Sequence, residues 1–332
     1  MIVTLTVNPS LDRTVELPDR IERGEVQRAV ASHQEPGGKG INVTRALVAS
    51  GVETLALFPA ADTDPMVTAM RTSELPFENL PIVGAVRSNI ALTEPDGTTT
   101  KVNEPGPDLS EDELDALSDR VCAAAAGASW LVIAGSLPPS IRQDYYVRLV
   151  RTLRESLGAG APRIAVDSSG EPLRLLLASE VSIDLIKPNA EELAELTATG
   201  SGEQFESDPG LAAAAVGQLF ARGVGSALVT LGSRGAALVT AHGTWFAAAP
   251  RIDARSTVGA GDSSLAGYLL ASDDGRGPEE SLAQAVAHGA AAASLPGSTV
   301  PTRQQADRFS ITVTRDASRD ARRESTKETH HG

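Results

Sequence analysis

From residue 110 onward the chain alternates between short apolar runs and longer helix-period segments, and this rhythm limits its fold more than any other feature. Residues 130–134, 164–166, 183–186 and 227–231 are dominated by β-branched and other apolar side chains. Runs of that kind fit strands covered on both faces. Helix patterns lie between them, over 143–156 and from Glu191 onward, and two more close the series at 262–271 and 278–294. Ser110 with Glu113 forms a capping box that opens the first of these helices. Residues 236–240 and 245–248 read as a hairpin, and 2–7 as one more buried strand ending at Asn8-Pro9. Repeated βα units of this sort predict a three-layer α/β domain with a mainly parallel central sheet. In such sheets ligands sit at the carboxyl ends of the strands, where the glycine-rich turns fall.

Two stretches break the rhythm. Residues 25–35 and 82–104 are polar, alternating and rich in Val and Thr, and Asp96-Gly97 is a hairpin signal between 89–93 and 98–102. They predict a small β lid built from about 12–35 and 82–104, projecting from a domain that spans 1–312. Residues 313–332 are charged and polar, and are expected to be a disordered tail.

The formal net charge of −14 over 332 residues repels nucleic acid and anionic lipid, so neither is expected as a partner. No apolar run is long enough to span a bilayer, and the start of the chain has no basic-then-apolar signal pattern. The single cysteine, Cys122, precludes an internal disulfide, suits a cytoplasmic location and reads as a packing residue of a helix. The histidines at 33, 242, 288, 330 and 331 show no metal-ligand spacing.

The chemistry concentrates in Ser256-Thr-Val-Gly-Ala-Gly-Asp262-Ser-Ser-Leu-Ala-Gly267. Gly259, Ala260 and Gly261 leave backbone N–H groups unshielded at a helix start, and those donors with the helix dipole suit an anion. Asp262 fits a base beside a transferring phosphoryl group, and a plain N-cap is the alternative. A second cluster, Pro36-Gly-Gly-Lys39-Gly-Ile-Asn42, also precedes a helix pattern, over 43–50. It is not a Walker loop, because Ile41 stands where Ser or Thr must follow. Lys39 there fits a point charge on a phosphate, or else a solvated lysine in a tight turn.

Together the two clusters resemble the carbohydrate-kinase family named for the minor phosphofructokinase, within the ribokinase-like superfamily. Residues 256–269 fit that family's C-terminal signature, and 37–51 fit the start of its N-terminal one through Gly38, Gly40, Asn42 and Gly51. The likeness extends over roughly 2–300 and is nearest to the phosphosugar branch. Residues 21–26 look most like 1-phosphofructokinases, and 37–40 like those and tagatose-6-phosphate kinases. Residues 143–146 lean to the latter, while 58–60 and 167–171 lean to the minor 6-phosphofructokinase.

The resemblance implies a role for each matching position. Asp262 would be the catalytic base, with Gly259, Ala260 and Gly261 as its anion hole. Lys39, Arg28 and Arg87 would hold the substrate phosphate. Asp12 and Asn42 would bind sugar hydroxyls, with Gly38, Gly135 and Ser136 lining the pocket. Lys187 would face the nucleotide phosphates, and Asn189 with Glu192 would order Mg²⁺ through water. Thr230, Gly232 and Gly235 would cradle the nucleotide, with Ser256 and Thr257 on its other side.

The implied activity is ATP-dependent phosphorylation of a phosphorylated ketohexose, fructose 1-phosphate first, with tagatose 6-phosphate and fructose 6-phosphate as alternatives. Mg²⁺ would accompany ATP. The family's K⁺ site uses carbonyls after the last helix, where residues 295–298 are short, so K⁺ stays an option. A homodimer through the β lid is expected. A non-catalytic sugar-phosphate sensor is the alternative of another class, and the intact Asp262 argues against it.

Overall fold

A computed structural model describes residues 1–316. Its elements run β1 (Ile2–Leu5), β2 (Ser10–Glu16), β3 (Ala31–Gly37), α1 (Lys39–Ala49), β4 (Thr54–Pro59), α2 (Pro65–Thr72), β5 (Phe77–Leu80), β6 (Arg87–Thr93) and β7 (Thr99–Asn103). There follow α3 (Glu111–Ala125), β8 (Trp130–Ala134), α4 (Tyr145–Leu157), β9 (Arg163–Asp167), α5 (Gly170–Ala178), β10 (Leu185–Ile186), α6 (Ala190–Thr197), α7 (Gly202–Ser207) and α8 (Pro209–Val216). The last are β11 (Ser226–Thr230), β12 (Gly235–Thr240), β13 (Gly243–Ala248), α9 (Ala260–Asp273), α10 (Pro278–Ala293), α11 (Arg303–Ala306) and β14 (Val313–Asp316).

A ten-stranded sheet in the order β14-β13-β12-β11-β10-β9-β8-β1-β4-β5 forms the central layer. Pairing is parallel from β11 through β5, and antiparallel from β11 out to β14. Alternate side chains of each strand serve opposite faces. Val3, Leu5, Leu131 and Ile133 pack against α3, α4, α5, α6 and α8. Ile2, Trp130 and Val132 pack against α1, α9 and α10 on the other face. That is the three-layer arrangement expected from the βα rhythm.

The polar stretches form a separate four-stranded sheet, β3-β2-β6-β7. Its hairpin turns at Asp96-Gly97, with Gly97 at φ 87° and Thr93 opposite Thr99. The sheet takes in Ser10 and Gly37, slightly beyond the bounds read from sequence.

Three boundaries differ in ways that matter. Helix α1 begins at Lys39 rather than 43, because Gly38, at φ 111°, is the residue that leaves the helix. Helix α9 begins at Ala260, so Asp262 lies inside the first turn and is not the cap. The sheet continues past residue 312, since Val313–Asp316 pairs with β13, so the expected tail loses its first four residues to a strand. Residues 317–332 lie outside the described residues. Cys122 is half-buried on α3 and packs against the core.

Candidate active site

Asp262 is set by its turn. Gly259 caps α9 at φ 74°, a left-handed conformation that favours glycine. Among the described residues no acceptor takes the N–H groups of Gly259, Gly261 or Asp262, while Ala260 N–H reaches Thr257 O at 3.3 Å. The free donors are therefore 259, 261 and 262, shifted from the 259–261 expected. They lie at the positive end of the α9 dipole. Asp262 is 8% exposed and accepts a hydrogen bond from Asn42 Nδ2 at 2.9 Å. Burial, then the charge of Asp167, push its carboxyl up to about 6, while Asn42, Lys187 and Lys39 oppose the rise. A base of that strength is matched to near-neutral proton transfer.

Beside it stands a charged chain of residues drawn from four elements. Lys187, just past β10 and 5% exposed, has its Nζ 3.5 Å from where a Cβ on Gly261 would stand. The same Nζ lies 3.1 Å from Asp167 Oδ2. Asp167, fully buried at the end of β9, also takes Lys39 Nζ on Oδ1 at 2.7 Å. Burial would raise its carboxyl, but Lys187 and Lys39 hold it below the usual carboxylate range. Lys39 Nζ reaches on to Glu192 Oε1 at 3.6 Å. Burial would lower that ammonium, yet Asp167 and Glu192 carry it above its ordinary value.

Asn189 and Glu192 form a reciprocal capping box at the start of α6, with bonds of 2.8 and 2.9 Å. Asn189 Oδ1 is spent on that cap. Asp167 has no role in the sequence reading, although a signal existed: an acid ending an apolar parallel strand, where ligands gather.

The second half of the site lies where the small sheet meets the body. Asp12 on β2 accepts from Ser10 Oγ at 2.7 Å and from Asn89 Nδ2 at 3.0 Å. Its carboxylate crowds Gly37, where any Cβ would collide with it. Arg87, paired in register with Ser10, donates weakly to Glu104 O at 3.4 Å and feels the charge of Asp12. Asn8 Nδ2 donates to Pro105 O at 3.1 Å and contacts Ser136 Oγ at 3.5 Å. Gly135, at φ 97°, receives Tyr146 Oη–H and Ser168 Oγ–H on its carbonyl.

Asn8 Oδ1, Asn42 Oδ1, Asn89 Oδ1 and Arg87 Nε are buried with no partner among the described residues. Such a set of unspent polar atoms is what a polyhydroxylated ligand satisfies. Lys39 and Arg87 share no partner: Lys39 lies on Asp167 and Glu192, and Arg87 reaches Glu104 O. Arg28 is exposed on the connection between β2 and β3, away from the others' hydrogen bonds.

On the far side, Thr230 N–H donates to Pro188 O at 3.1 Å, tying β11 to the segment that carries Lys187 and Asn189. Gly232 and Gly235 follow at φ 55° and 113°, and a Cβ on Gly235 would strike the Ala247 carbonyl. Ser256 Oγ accepts from Val258 N–H at 3.2 Å, and Thr257 is exposed beside it. For a divalent metal, no group of three His, Cys, Asp or Glu comes together among the described residues. The donors that exist, Asp167 and Glu192, fit an ion carried in on phosphate with its own waters, not a protein cage.

This arrangement has close counterparts. A family model described as the pfkB family carbohydrate kinase matches residues 6–305. The ATP-dependent 6-phosphofructokinase isozyme 2 of Mycobacterium tuberculosis is 32% identical over 93% of this chain and 88% of its own length. The 1-phosphofructokinase of Rhodobacter capsulatus is 32% identical over 94% and 96%, and the tagatose-6-phosphate kinase of Staphylococcus epidermidis 31% over 87% and 91%.

Escherichia coli phosphofructokinase-2 in complex with fructose 6-phosphate superposes with a TM-score of 0.82 at 30% identity, covering 92% of this chain and 97% of that one. That enzyme has also been solved in complex with potassium and as a tetrameric inhibited form. No helix here is long and apolar enough to cross a membrane among the described residues. With the match running from the end of β1 to α11, and with the three relatives just named all kinases of sugar phosphates, this chain belongs to the pfkB family of carbohydrate kinases, phosphotransferases acting on a sugar hydroxyl.

Proposed function

We propose that this chain transfers the γ-phosphoryl group of ATP to a ketohexose phosphate, with fructose 1-phosphate the first substrate to test. The observation that carries the reading is the buried Asp262 carboxyl, lifted to about 6, set at a helix start with unclaimed N–H groups and bonded to Asn42, whose own Oδ1 is buried without a partner among the described residues. A sugar satisfying that atom presents a hydroxyl to Asp262, which removes its proton as the oxygen attacks phosphorus. The N–H groups of 259, 261 and 262, with Lys187, hold the charge spread over the transferring oxygens.

Arg87, beside Asp12, grips the phosphate already on the sugar. Asp12 and Asn42 take hydroxyls, and Gly38, Gly135 and Ser136 leave room for the ring. Thr230, Gly232, Gly235, Ser256 and Thr257 border the nucleotide. When bound with ATP, Mg²⁺ supplies charge neutralisation and orientation of the phosphates, and Glu192 with Asp167 would hold its water shell, Asn189 fixing Glu192 through the cap they share. For K⁺, the carbonyls of Ala292, Ala293 and Pro296 already accept backbone N–H groups, so no step is assigned to it.

The four-stranded sheet serves as a lid that keeps water from the phosphoryl group. Val26, Val30 and Val102 are exposed hydrophobics in the lid region, which supports a dimer formed through it. The preference for fructose 1-phosphate rests on the likeness of residues 21–26 to the 1-phosphofructokinases. A coupled ADP-release assay across fructose 1-phosphate, fructose 6-phosphate and tagatose 6-phosphate tests it. The highest kcat/KM is expected with fructose 1-phosphate. A higher value with either other sugar replaces the substrate, and no release with any of them overturns the reading.

A further inference from the structure

Asp167, Glu192, Lys39 and Lys187 form a knot in which two carboxylates face two ammonium groups. The two lysines are not equivalent. Lys187 is 5% exposed and locked between Asp167 and the Gly261 turn, whereas the Lys39 side chain is 35% exposed. Lys39 is also the only one of the two that touches both acids, at 2.7 Å and 3.6 Å.

Its place is fixed by backbone and not by chance. Gly38 leaves the helix at φ 111°, and a Cβ on Gly40 would collide with the Thr6 side chain, so the turn is pressed against the end of β1. A long flexible stem on an immobile anchor lets the ammonium move while its root stays still.

We propose that Lys39 is a built-in counter-cation of the Asp167–Glu192 pair, which keeps divalent metal off these acids until nucleotide arrives and then turns to the transferring phosphoryl oxygens. The proposal rests on the kinase reading for its second half and on the charge balance for its first. The two lysines balance Asp167 and Glu192 and leave only the charge of Asp262 beside them, so a divalent ion entering alone would still leave an excess of positive charge in a largely desolvated site. Nucleotide phosphates bring the negative charge that removes this objection. Lys39, the more exposed cation, is the one free to exchange acids for phosphate.

The test reads metal binding in the nucleotide-free, sugar-free protein. Mn²⁺ is titrated by electron paramagnetic resonance or calorimetry into the unaltered chain, Lys39→Met, Lys39→Arg and the double variant Lys39→Met with Glu192→Gln. Lys39→Met is expected to bind one Mn²⁺ at least about tenfold tighter than the unaltered chain, because one unit charge has left the ion's neighbourhood. Lys39→Arg should stay like the unaltered chain, and the double variant should lose the gain. Lys39→Gln takes the place of the methionine variant should that one fail to fold.

Equal affinity in the unaltered and neutral variants would overturn the proposal, as would a gain that survives loss of Glu192. Since no sugar or ATP is present, this failure is separate from a failure of the kinase reading, which shows only as absent ADP release.

Discussion

The ten-stranded sheet and the four-stranded sheet obey opposite rules of burial, and the active site is divided between them. Strands β1 and β8 are buried at every residue, whereas β6 is half-buried throughout and β7 exposed throughout. The groups proposed for proton and phosphoryl transfer lie on the first or on the helix packed against it: Asp167 ends β9, Lys187 follows β10 and Asp262 lies in the first turn of α9. Asp12, Arg87 and Asn89, the groups proposed to bind the sugar phosphate, are rooted in the second. A sheet with little apolar burial opens locally at low cost, and one sealed between helices does not. Chemistry needs the fixed geometry, and substrate entry needs the sheet that gives.

The division is broken most directly at Asp262. Asp262→Asn keeps shape and hydrogen bonding to Asn42 while removing the base, so kcat should fall about 10²–10⁴-fold. ATP binding, measured by calorimetry, should stay near that of the unaltered protein. A kcat within a few-fold of the unaltered value would remove Asp262 from the reaction and leave the rigid half without a chemical role.

The lid half is sharpened at Arg87, whose buried Nε has no partner among the described residues. Arg87→Met should raise the KM for the sugar phosphate about ten- to a hundredfold, the range expected when a charge-assisted contact is lost. The KM for ATP should hardly change. Arg87→Lys should recover part of the loss, since an ammonium cannot reproduce the planar fork. Steady-state kinetics on both substrates decide it, and a shift in the ATP KM instead would put Arg87 on the wrong side of the division.

Much of this was legible in the residues, for physical reasons that also mark the limit. Strands sealed on both faces must be apolar, so 130–134 and 227–231 announce themselves, and the capping box at Ser110 follows from spacing alone, whereas the one at Asn189 emerges only in the structure. Asp262 stood out because glycines before a helix expose N–H groups. The grouping of side chains was another matter. Asn42 and Asp262 are far apart in sequence, and nothing in either segment says that one donates to the other at 2.9 Å.

The resemblance groups Lys39 and Arg87 on one phosphate, and in the structure each answers to a different acid. Asp167 escaped because a lone aspartate after three apolar residues reads as the end of a strand. Val313–Asp316 escaped too, since a short polar edge strand differs little from a tail.

The smallest expected effect concerns pH, and it distinguishes the two buried aspartates of the rigid half. Burial and the Asp167 charge raise the Asp262 carboxyl from its ordinary 3.8 to about 6, so the base is disabled by protonation below that pH. kcat/KM should fall about tenfold per pH unit on the acid side of 6. Asn42→Ala removes a hydrogen bond that favours the charged form, so the limb should move to higher pH.

For stability the sign follows from linkage. Asp262 binds its proton more tightly in the folded state, so its contribution is present below 3.8 and is lost as pH rises through about 6. Asp167 is depressed, so its contribution is present above its ordinary value and is lost as pH falls through the lower folded one. The two therefore pull in opposite directions across the acid range. Thermal melts of the unaltered protein and Asp262→Asn between pH 5 and 8 test this. The asparagine variant should gain stability relative to the unaltered chain as pH rises. A pH-independent difference, with a flat kcat/KM profile down to pH 5 in protein shown to be folded, would mean that Asp262 titrates as an ordinary exposed carboxylate.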